Sequence, residues 1–175
     1  MTDHVKPVYE GRVINLRIES ITMPNGVCVE LEIVRHPGGA AIVALDCDNR
    51  VCLLRQYRHA AGGWIWELPA GKLETGEAAE TTAARELVEE AGLHAARWER
   101  LGELIATPGF CDEIIHLFLA RDLTEVQSQP EEHELFELHR IPLEAAIGLV
   151  YDGTIYDAKT MLGLTLAAHH LAHEK

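Results

Sequence analysis

Cysteine is scarce in this chain, and its few copies are not arranged as a binding site. The four cysteines occupy positions 28, 47, 52 and 111 of 175 residues, with no Cys-X-X-Cys pair and no zinc-finger spacing to a histidine. This pattern excludes the common zinc-binding and CxxC motifs. We interpret the four cysteines as small, buried, apolar side chains of a protein in a reducing compartment.

Long apolar runs and basic residues are also in short supply. No apolar run approaches the roughly 20 residues that a membrane-spanning helix needs, and the opening MTDHVKPVYEG lacks the regions of a signal peptide. We therefore expect a cytoplasmic protein with no membrane partner. Lysine and arginine total 15 against 28 acidic residues, a net charge of −13. This charge argues against nucleic-acid partners, since non-specific binding of nucleic acid depends on basic surface.

The remaining composition is that of a folded domain. Hydrophobic residues make up 47% and charged residues 25% of the chain, with no internal repeat or low-complexity tract. Ten histidines are dispersed, and their densest group, AAHHLAHEK, lies at the C-terminus. We expect that group to be a frayed, solvated helix end and not a metal site.

Hydrophobic patterning predicts strands over the first part of the chain. Alternating residues at 12–22 and 27–35 flank the turn Pro24-Asn25-Gly26, which predicts an N-terminal antiparallel hairpin. Two short β-rich runs at 40–46 and 51–58 predict a second hairpin. We assign residues 1–36 to the N-terminal hairpin region and residues 37–175 to a separate domain.

Helices are predicted after these strands. Helix-forming residues run from about Glu77 to Ala91, with an apolar stripe and Gly92 as a natural stop. Further strands precede two helices at 143–151 and 157–173. The order of elements predicts an α+β fold, an α/β/α sandwich with a mixed β-sheet.

The helix that ends at Gly92 carries an unusual acidic cluster. Glu86, Glu89 and Glu90 lie within one turn, where each like-charge pair costs roughly 0.2–0.5 kcal/mol. One interpretation is a solvated acidic face. The other is a bound cation, because Mg²⁺ takes oxygen ligands and commonly joins one or two carboxylates to substrate phosphates. Arg85 can hold a neighbouring carboxylate in a bidentate pair.

This segment resembles the Nudix box at every specified position. The matching residues are Gly71, Glu77, Arg85, Glu86, Leu87, Glu89, Glu90, Gly92 and Leu93. Nine specified positions in 23 residues make a chance match improbable. The resemblance implies an α/β/α sandwich that hydrolyses a nucleoside diphosphate linked to another group, with Mg²⁺ as cofactor and Mn²⁺ able to substitute.

The same resemblance implies a role for each box residue. Glu86, Glu89 and Glu90 would bind the metal together with the backbone carbonyl of Ala70. Glu77 and Arg85 would then orient these ligands, a supporting role that is often as necessary as ligation. Glu89 is also an alternative group for activating the attacking water.

Segments beside the box resemble ADP-ribose pyrophosphatases in particular. They are LLRQYRHAAGGWIWELPAGKLETGE and ATPGFCDEIIHLFLARDL, the second of which places Pro108 fifteen residues beyond Leu93. The resemblance covers roughly residues 30–165 and implies hydrolysis of ADP-ribose to AMP and ribose 5-phosphate. Another nucleotide sugar such as GDP-mannose is the alternative substrate, and a non-catalytic nucleotide-sensing module is a further alternative.

Several residues are candidates for binding the nucleotide sugar. Arg55 and Arg58 lie three apart near the end of a strand, so their guanidiniums could bind phosphate or pair with the chain's own glutamates. Tyr9 and Phe110 are stacking candidates, and Pro108 lies in the same segment as Phe110. Trp64 and Trp66 share one face of an extended segment, where core packing is favoured over base stacking.

The acidic loop QPEEHELFEL supplies candidates for the catalytic base. Carboxylates that bind metal serve poorly as bases, and the resemblance to ADP-ribose pyrophosphatases implies a loop glutamate as the candidate base. We favour Glu132, then Glu134, over Glu131, with a non-catalytic exposed loop as the alternative. The resemblance, together with the exposed edge of a strongly patterned hairpin, implies that residues 12–34 help form a homodimer and bring part of the nucleoside pocket to the partner's active site.

Overall fold

The computed structural model describes residues 2–128 and 135–174. These residues fall into two compact units, Met1–Gly38 with Ile105–Ile114, and Gly39–Leu104 with Ile115–Lys175. In chain order the elements are β1 (Thr2–Glu10), β2 (Asn15–Thr22), β3 (Cys28–Arg35), β4 (Gly39–Ala44), β5 (Arg50–Arg58), β6 (Gly63–Glu67), β7 (Ala70–Lys72), α1 (Ala79–Ala91), β8 (Leu93–Ile105), β9 (Ile114–Glu125), β10 (Phe136–Pro142), α2 (Leu143–Tyr151) and α3 (Ala158–His173).

The first unit is built on an antiparallel sheet of order β1-β2-β3. The predicted hairpin is confirmed, because β2 and β3 pair in register from Asn15↔Arg35 to Thr22↔Cys28. Gly26 closes its turn at a positive φ of 82°, a conformation that glycine adopts without steric cost. Strand β1 was not predicted, and it lies at the edge of the sheet, the place where proline is tolerated in strands.

The segment Ile105–Ile114 completes this unit by hydrogen bonding to β3. The amide of Val34 donates to the carbonyl of Phe110 at 2.7 Å, and the amide of Asp112 donates to Val34 at 3.2 Å. Arg35 reinforces the contact through an ion pair with Asp112 at 2.9 Å. A second ion pair joins Arg35 to Glu19 at 2.6 Å. Together these two carboxylates raise the pKa of Arg35, with Asp112 the larger cause.

The second unit contains two sheets of different kinds. Strands β7-β4-β9-β8 form a mixed sheet in which β4 and β9 run parallel, and β10-β5-β6 form an antiparallel sheet. Every residue of β4 is buried. Burial on both faces is typical of a strand that is covered by helices on either side.

Helices cover the two faces of β4. Ala40 and Ile42 pack in a cluster that includes Leu87 of α1. Ala41 and Val43 point to the other face and pack in a cluster that contains residues of α2 and α3, such as Leu164. The predicted α+β fold, an α/β/α sandwich with a mixed sheet, is confirmed by this arrangement.

Of the second predicted hairpin, the structure contains the turn but not the paired strands. Asp46 accepts hydrogen bonds from the amides of Asp48 and Arg50 and so stabilises a tight turn, but only a single bridge, Leu45↔Val51, joins the flanking segments. Strands β4 and β5 then enter different sheets. Along β4, β9 pairs with residues 39–44 on one edge and β7 pairs with residues 39–41 on the other.

Two expectations about side chains are corrected. Cys52 is buried, and burial raises its pKa to about 12, but Cys28 and Cys47 are exposed and Cys111 is intermediate. The end of α3 is not frayed, since Glu174 accepts a hydrogen bond from Arg121 at 2.7 Å. In the described part of the chain, no helix is both long enough and apolar enough to cross a membrane.

Candidate active site

Two of the three clustered glutamates on α1 are buried. Glu86 is 8% exposed and Glu90 is 3% exposed, and both lie beside the apolar stripe that packs under β4. A helix face that served only to contact solvent would not bury two carboxylates, because burial of a charge is costly unless it is compensated. The solvated-face interpretation is therefore wrong for Glu86 and Glu90. Glu89 is half-buried, with 34% of its side chain exposed.

The buried carboxylates meet the backbone of β7. The amide of Ala70 donates to Oε2 of Glu90 at 2.8 Å. At the next residue, a Cβ added to Gly71 would lie 1.7 Å from Oε1 of Glu86. Only glycine allows the Glu86 carboxylate to approach the backbone this closely. Residues 70 and 71 therefore bring both carboxylates to one short stretch of main chain.

Arg85 supplies the positive charge that offsets the cluster. Its Nη1 donates to Oε1 of Glu86 at 2.7 Å and to Oε2 of Glu89 at 2.9 Å. Its Nε and Nη2 reach Glu77, each at 3.3 Å. Burial lowers the pKa of Arg85, but the hydrogen bonds to Glu77 and the charge of Glu86 outweigh that effect, so its pKa is raised. Arg85 thus stays charged and fixes three carboxylates.

Glu77 is held in place by this arginine and by α1. Hydrogen bonding to Arg85, and then to Thr82, lowers the pKa of Glu77 to about 2. Oε2 of Glu77 accepts from Oγ1 of Thr82 at 2.8 Å and from the amide of Glu74 at 3.2 Å. These contacts agree with the orienting role expected for Glu77 and Arg85.

The donor atoms at this site fit a hard divalent cation. Glu86, Glu89 and Glu90 offer carboxylate oxygens beside the backbone of Ala70, and oxygen is the ligand that Mg²⁺ and Mn²⁺ prefer. The buried position of two of these carboxylates reduces competition from water. These four residues are the ones that would hold the metal.

A second group of possible metal ligands is already neutralised by arginine. Ligand atoms of Glu99, His170 and Glu174 lie within 4.8 Å of one another. Arg121 forms ion pairs with both carboxylates, and Arg97 contacts both at 3.1 Å. We interpret this group as an ion-pair network that fastens the end of α3 to β8 and β9.

The two arginines expected to bind phosphate lie on opposite faces of β5. Arg55 contacts Glu137 at 3.6 Å, with its guanidinium 5.7 Å from the ring centre of Trp64. Arg58 donates from Nε to Oε2 of Glu67 at 2.7 Å. An offset of three residues along a strand reverses the face, so the two side chains have separate partners. Their roles in substrate binding remain predictions.

Three other candidates lie in the first unit. Tyr9 is 58% exposed on β1, and Phe110 is 53% exposed. Pro108 and Phe110 line a pocket of about 330 Å³ whose other walls include Ile33, Arg35 and Ile114. Apolar walls with one charged pair are typical of ligand pockets. The substrate contacts of Tyr9, Pro108 and Phe110 remain predictions.

The two tryptophans differ in their surroundings. Trp66 packs against the apolar cluster that contains α2 and α3, as predicted. Trp64 is 39% exposed and makes an edge contact with Tyr57 at a ring-centre distance of 6.0 Å. Core packing is therefore confirmed for Trp66 and wrong for Trp64.

Sequence reasoning missed a buried ion network beside the site. Glu67, at the end of β6, contacts both Arg58 and Lys159. Asp157 is the residue that could have pointed to this network from the sequence, because its spacing to Thr160 is that of a helix N-cap. The favoured catalytic bases Glu132 and Glu134, together with Glu131, lie outside the residues that the structure describes.

Known proteins resemble this chain over most of its length. The NUDIX domain model matches residues 35–162. The ADP-ribose pyrophosphatase of Bacillus subtilis is 41% identical over 155 residues, which cover 87% of this chain and 84% of that protein. A methanol dehydrogenase activator of Bacillus methanolicus is 38% identical, with coverage of 93% and 89%.

A solved structure shows the same fold. The crystal structure of an ADP compounds hydrolase superimposes with a TM-score of 0.85 at 24% identity, covering 98% of this chain and 94% of that one. The matched domain includes β7 and α1, where the glutamates and Arg85 meet. The chain belongs to the NUDIX domain family.

Proposed function

We propose that this protein is a Mg²⁺-dependent hydrolase that cleaves the pyrophosphate bond of ADP-ribose to give AMP and ribose 5-phosphate. The observation that carries the proposal is the convergence of Glu86 and Glu90 on the backbone of Ala70 and Gly71. The similarity to an ADP-ribose pyrophosphatase over most of both chains supports the choice of substrate. Mn²⁺ is expected to substitute for Mg²⁺.

The residues of the site have complementary roles in this reaction. Glu86, Glu89 and Glu90 would hold the metal with the carbonyl of Ala70, and Arg85 fixes the rotamers of Glu86 and Glu89. A bound divalent metal lowers the pKa of a water ligand and offsets the negative charge of the phosphates. The protein therefore contributes chiefly positioning and electrostatic stabilisation.

A carboxylate outside the metal set accepts the proton of the attacking water. Glu132 is favoured, then Glu134, because the loop that carries them supplies acidic groups that are not committed to metal. Glu89 is the alternative, since it is the most exposed of the three box glutamates, with 34% of its side chain accessible.

We also propose the partners and location of the protein. Residues 1–36 help form a homodimer and contribute to nucleoside recognition, and residues 37–175 form the hydrolase domain. Arg55, Arg58, Tyr9, Pro108 and Phe110 bind the nucleotide sugar. We propose a cytoplasmic location. The net charge of −13 supports an enzyme that acts on a small molecule and not on nucleic acid or anionic membranes.

Product analysis over a substrate panel tests the proposal. Purified protein is incubated with ADP-ribose, GDP-mannose and ADP-glucose under excess Mg²⁺, and the nucleotide and sugar phosphates are separated. We expect ADP-ribose to give the highest kcat/KM, with AMP and ribose 5-phosphate in equal amounts. Faster cleavage of GDP-mannose would show that the preferred substrate is another nucleotide sugar. If no compound were cleaved, the result would favour a nucleotide-sensing module.

A further inference from the structure

A buried carboxylate at the end of β6 lies between two cations. Glu67 has only 4% of its side chain exposed. Its Oε2 accepts a hydrogen bond from Nε of Arg58 at 2.7 Å, and its Oε1 accepts one from Nζ of Lys159. Each carboxylate oxygen therefore has a different cationic partner.

Lys159 is itself fixed by the start of α3. Its Nζ also donates to Oδ1 of Asp157 at 3.0 Å. Asp157 caps the helix, since its Oδ2 accepts from the amide of Thr160 at 3.0 Å and from its Oγ1 at 2.6 Å. Oγ1 of Thr160 in turn accepts from the amide of Leu68 at 2.9 Å. The chain of contacts closes on itself, because Leu68 follows Glu67 in sequence.

Arg58 is the exposed member of this network. Its side chain is 43% accessible, whereas that of Lys159 is 12% and that of Asp157 is 17% accessible. The two cations and two carboxylates balance formally, so the network adds no net charge. Among the residues that the structure describes, Arg58 uses only its Nε in a hydrogen bond.

The contact between Lys159 and Glu67 bears on which guanidinium nitrogens of Arg58 are available to a ligand. A carboxylate with both oxygens available tends to bind an arginine bidentately, which would also engage a terminal guanidinium nitrogen. Lys159 donates to Oε1 of Glu67, so a bidentate contact of Arg58 would have to share that oxygen with an ammonium group, and Arg58 contacts the carboxylate through Nε and Oε2. Nη1 and Nη2 can then donate together to a phosphate, the planar arrangement that suits arginine to such anions.

We propose that Lys159 and Glu67 are positioning residues that hold Arg58 for a phosphate group of the substrate. This inference rests on the proposed function for the identity of the substrate. It assigns Lys159, 92 positions from Glu67 in the chain, to the recognition of the pyrophosphate. The alternative is that the network only fastens α3 to β6.

Replacement of Lys159 separates these two roles. Lys159→Met removes the ammonium group and keeps most of the side-chain volume, so Arg58 no longer competes with it for Oε1 of Glu67 and a bidentate contact is favoured. We expect KM for ADP-ribose to rise about tenfold with kcat little changed, the effect of losing one charge-assisted contact that is equal in ground and transition states. Lys159→Arg should restore most of the affinity. Arg50→Met, at the opposite end of β5 in an exposed pair with Asp46, is the control for loss of one positive charge.

Binding measured without metal supplies a readout that does not depend on turnover. Titration calorimetry in EDTA compares ADP-ribose and inorganic pyrophosphate as ligands of the wild type, Lys159→Met, Arg58→Met and the double variant. If Lys159 acts through Arg58, the double variant should bind as weakly as Arg58→Met alone. Independent, additive losses, or unchanged binding by Lys159→Met, would overturn the proposal.

Failure of the proposed function would look different. A wild-type protein that does not cleave or bind ADP-ribose would refute that function, and the pyrophosphate titrations would still decide the role of Arg58. Wild-type binding of pyrophosphate that Lys159→Met weakens would keep the positioning role for another phosphorylated substrate. No wild-type binding of pyrophosphate would refute the positioning role as well.

Discussion

Gly71 and Glu86 approach so closely that a methyl group at position 71 would overlap the Glu86 carboxylate, at 1.7 Å from Oε1 and 2.0 Å from Cδ. Gly71→Ala must therefore displace a buried carboxylate that is a candidate metal ligand. We expect turnover to fall by about two orders of magnitude, as is usual when a metal ligand or its support is displaced. Steady-state kinetics over a range of Mg²⁺ concentrations measures the loss.

Gly76→Ala is the matched control for this substitution. Gly76 lies in the segment between β7, which contains Gly71, and α1. Nothing is within 4 Å of a Cβ added there, but its φ is +80°. Alanine there should cost about 1 kcal/mol of unfolding free energy through backbone strain and leave turnover unchanged. Equal losses of turnover in the two variants would show that main-chain conformation, and not the close approach of Gly71 to Glu86, determines the turnover.

The box glutamates themselves give a second prediction. Glu86→Gln and Glu90→Gln should each lower turnover by at least about 10²-fold and weaken Mn²⁺ binding, because a neutral amide is a poorer ligand for a divalent cation. The fold should survive, since a glutamine oxygen at position 90 can still accept the hydrogen bond from Ala70.

Mn²⁺ titrations followed by electron paramagnetic resonance provide the measurement. Glu80→Gln, an exposed glutamate in the first turn of the same helix, serves as the control and should behave as wild type. Near-normal turnover of either Glu86→Gln or Glu90→Gln at low Mg²⁺ would contradict the assignment.

The catalytic base is addressed by single Glu→Gln replacements at 131, 132 and 134. We expect one large effect, at Glu132 or failing that at Glu134, with kcat lowered by about 10²–10⁴. KM and metal affinity should change little, because a base acts in the transition state. Three small effects would mean that metal alone or Glu89 activates the water.

The oligomeric state gives a fourth prediction. Residues 12–34 include β2 and most of β3 in a three-stranded sheet. Their exposed apolar side chains include Val27, just before β3, at 53% and Leu31, on β3, at 37%. We expect a homodimer at micromolar concentration, measured by light scattering, and dissociation with loss of activity in Leu31→Lys. A fully active wild-type monomer at that concentration would refute the predicted dimer.

The ion network at the end of α3 predicts a pH dependence of stability. Hydrogen bonding to Arg121 is the main cause that lowers the pKa of Glu99, and it lowers the pKa of Glu174 from 4.5 to about 2. When the pKa of a carboxyl group is lower in the folded than in the unfolded state, the group stabilises the fold at pH values above its unfolded-state pKa. That stabilisation is lost as the pH falls towards and through its folded-state pKa. Arg97 and His170 contact the same two carboxylates.

Arg121→Met should therefore lower the melting temperature at pH 7 and lower it progressively less between about pH 4.5 and pH 2. Thermal unfolding followed by circular dichroism over that range makes the comparison. Arg100→Met, which removes an exposed pair with Glu103, should have almost no effect at any pH. A difference between Arg121→Met and wild type that does not change with pH would contradict the role of these carboxylates.

Local sequence predicted helix α1 well. Gly92 ends α1 in the left-handed conformation at φ 61°, as expected of a C-terminal glycine, and the helix begins at Ala79, two residues later than predicted. The hairpin turn at Gly26 was equally evident from sequence. Such features depend on residues within a few positions of one another, so patterning captures them. Strand β1 was missed because Pro7 obscures its pattern, and only its edge position makes that proline acceptable.

The sequence by itself determined the family of this protein through the nine matching box positions, and helical spacing placed Glu86, Glu89 and Glu90 within one turn. Tertiary structure alone decided which of those carboxylates are buried, that Gly71 contacts Glu86, and that β4 and β5 separate into different sheets. It also brought Lys159 to Glu67 across 92 positions. Contacts at that separation depend on how the sheets and helices pack, and no local pattern in the chain encodes them.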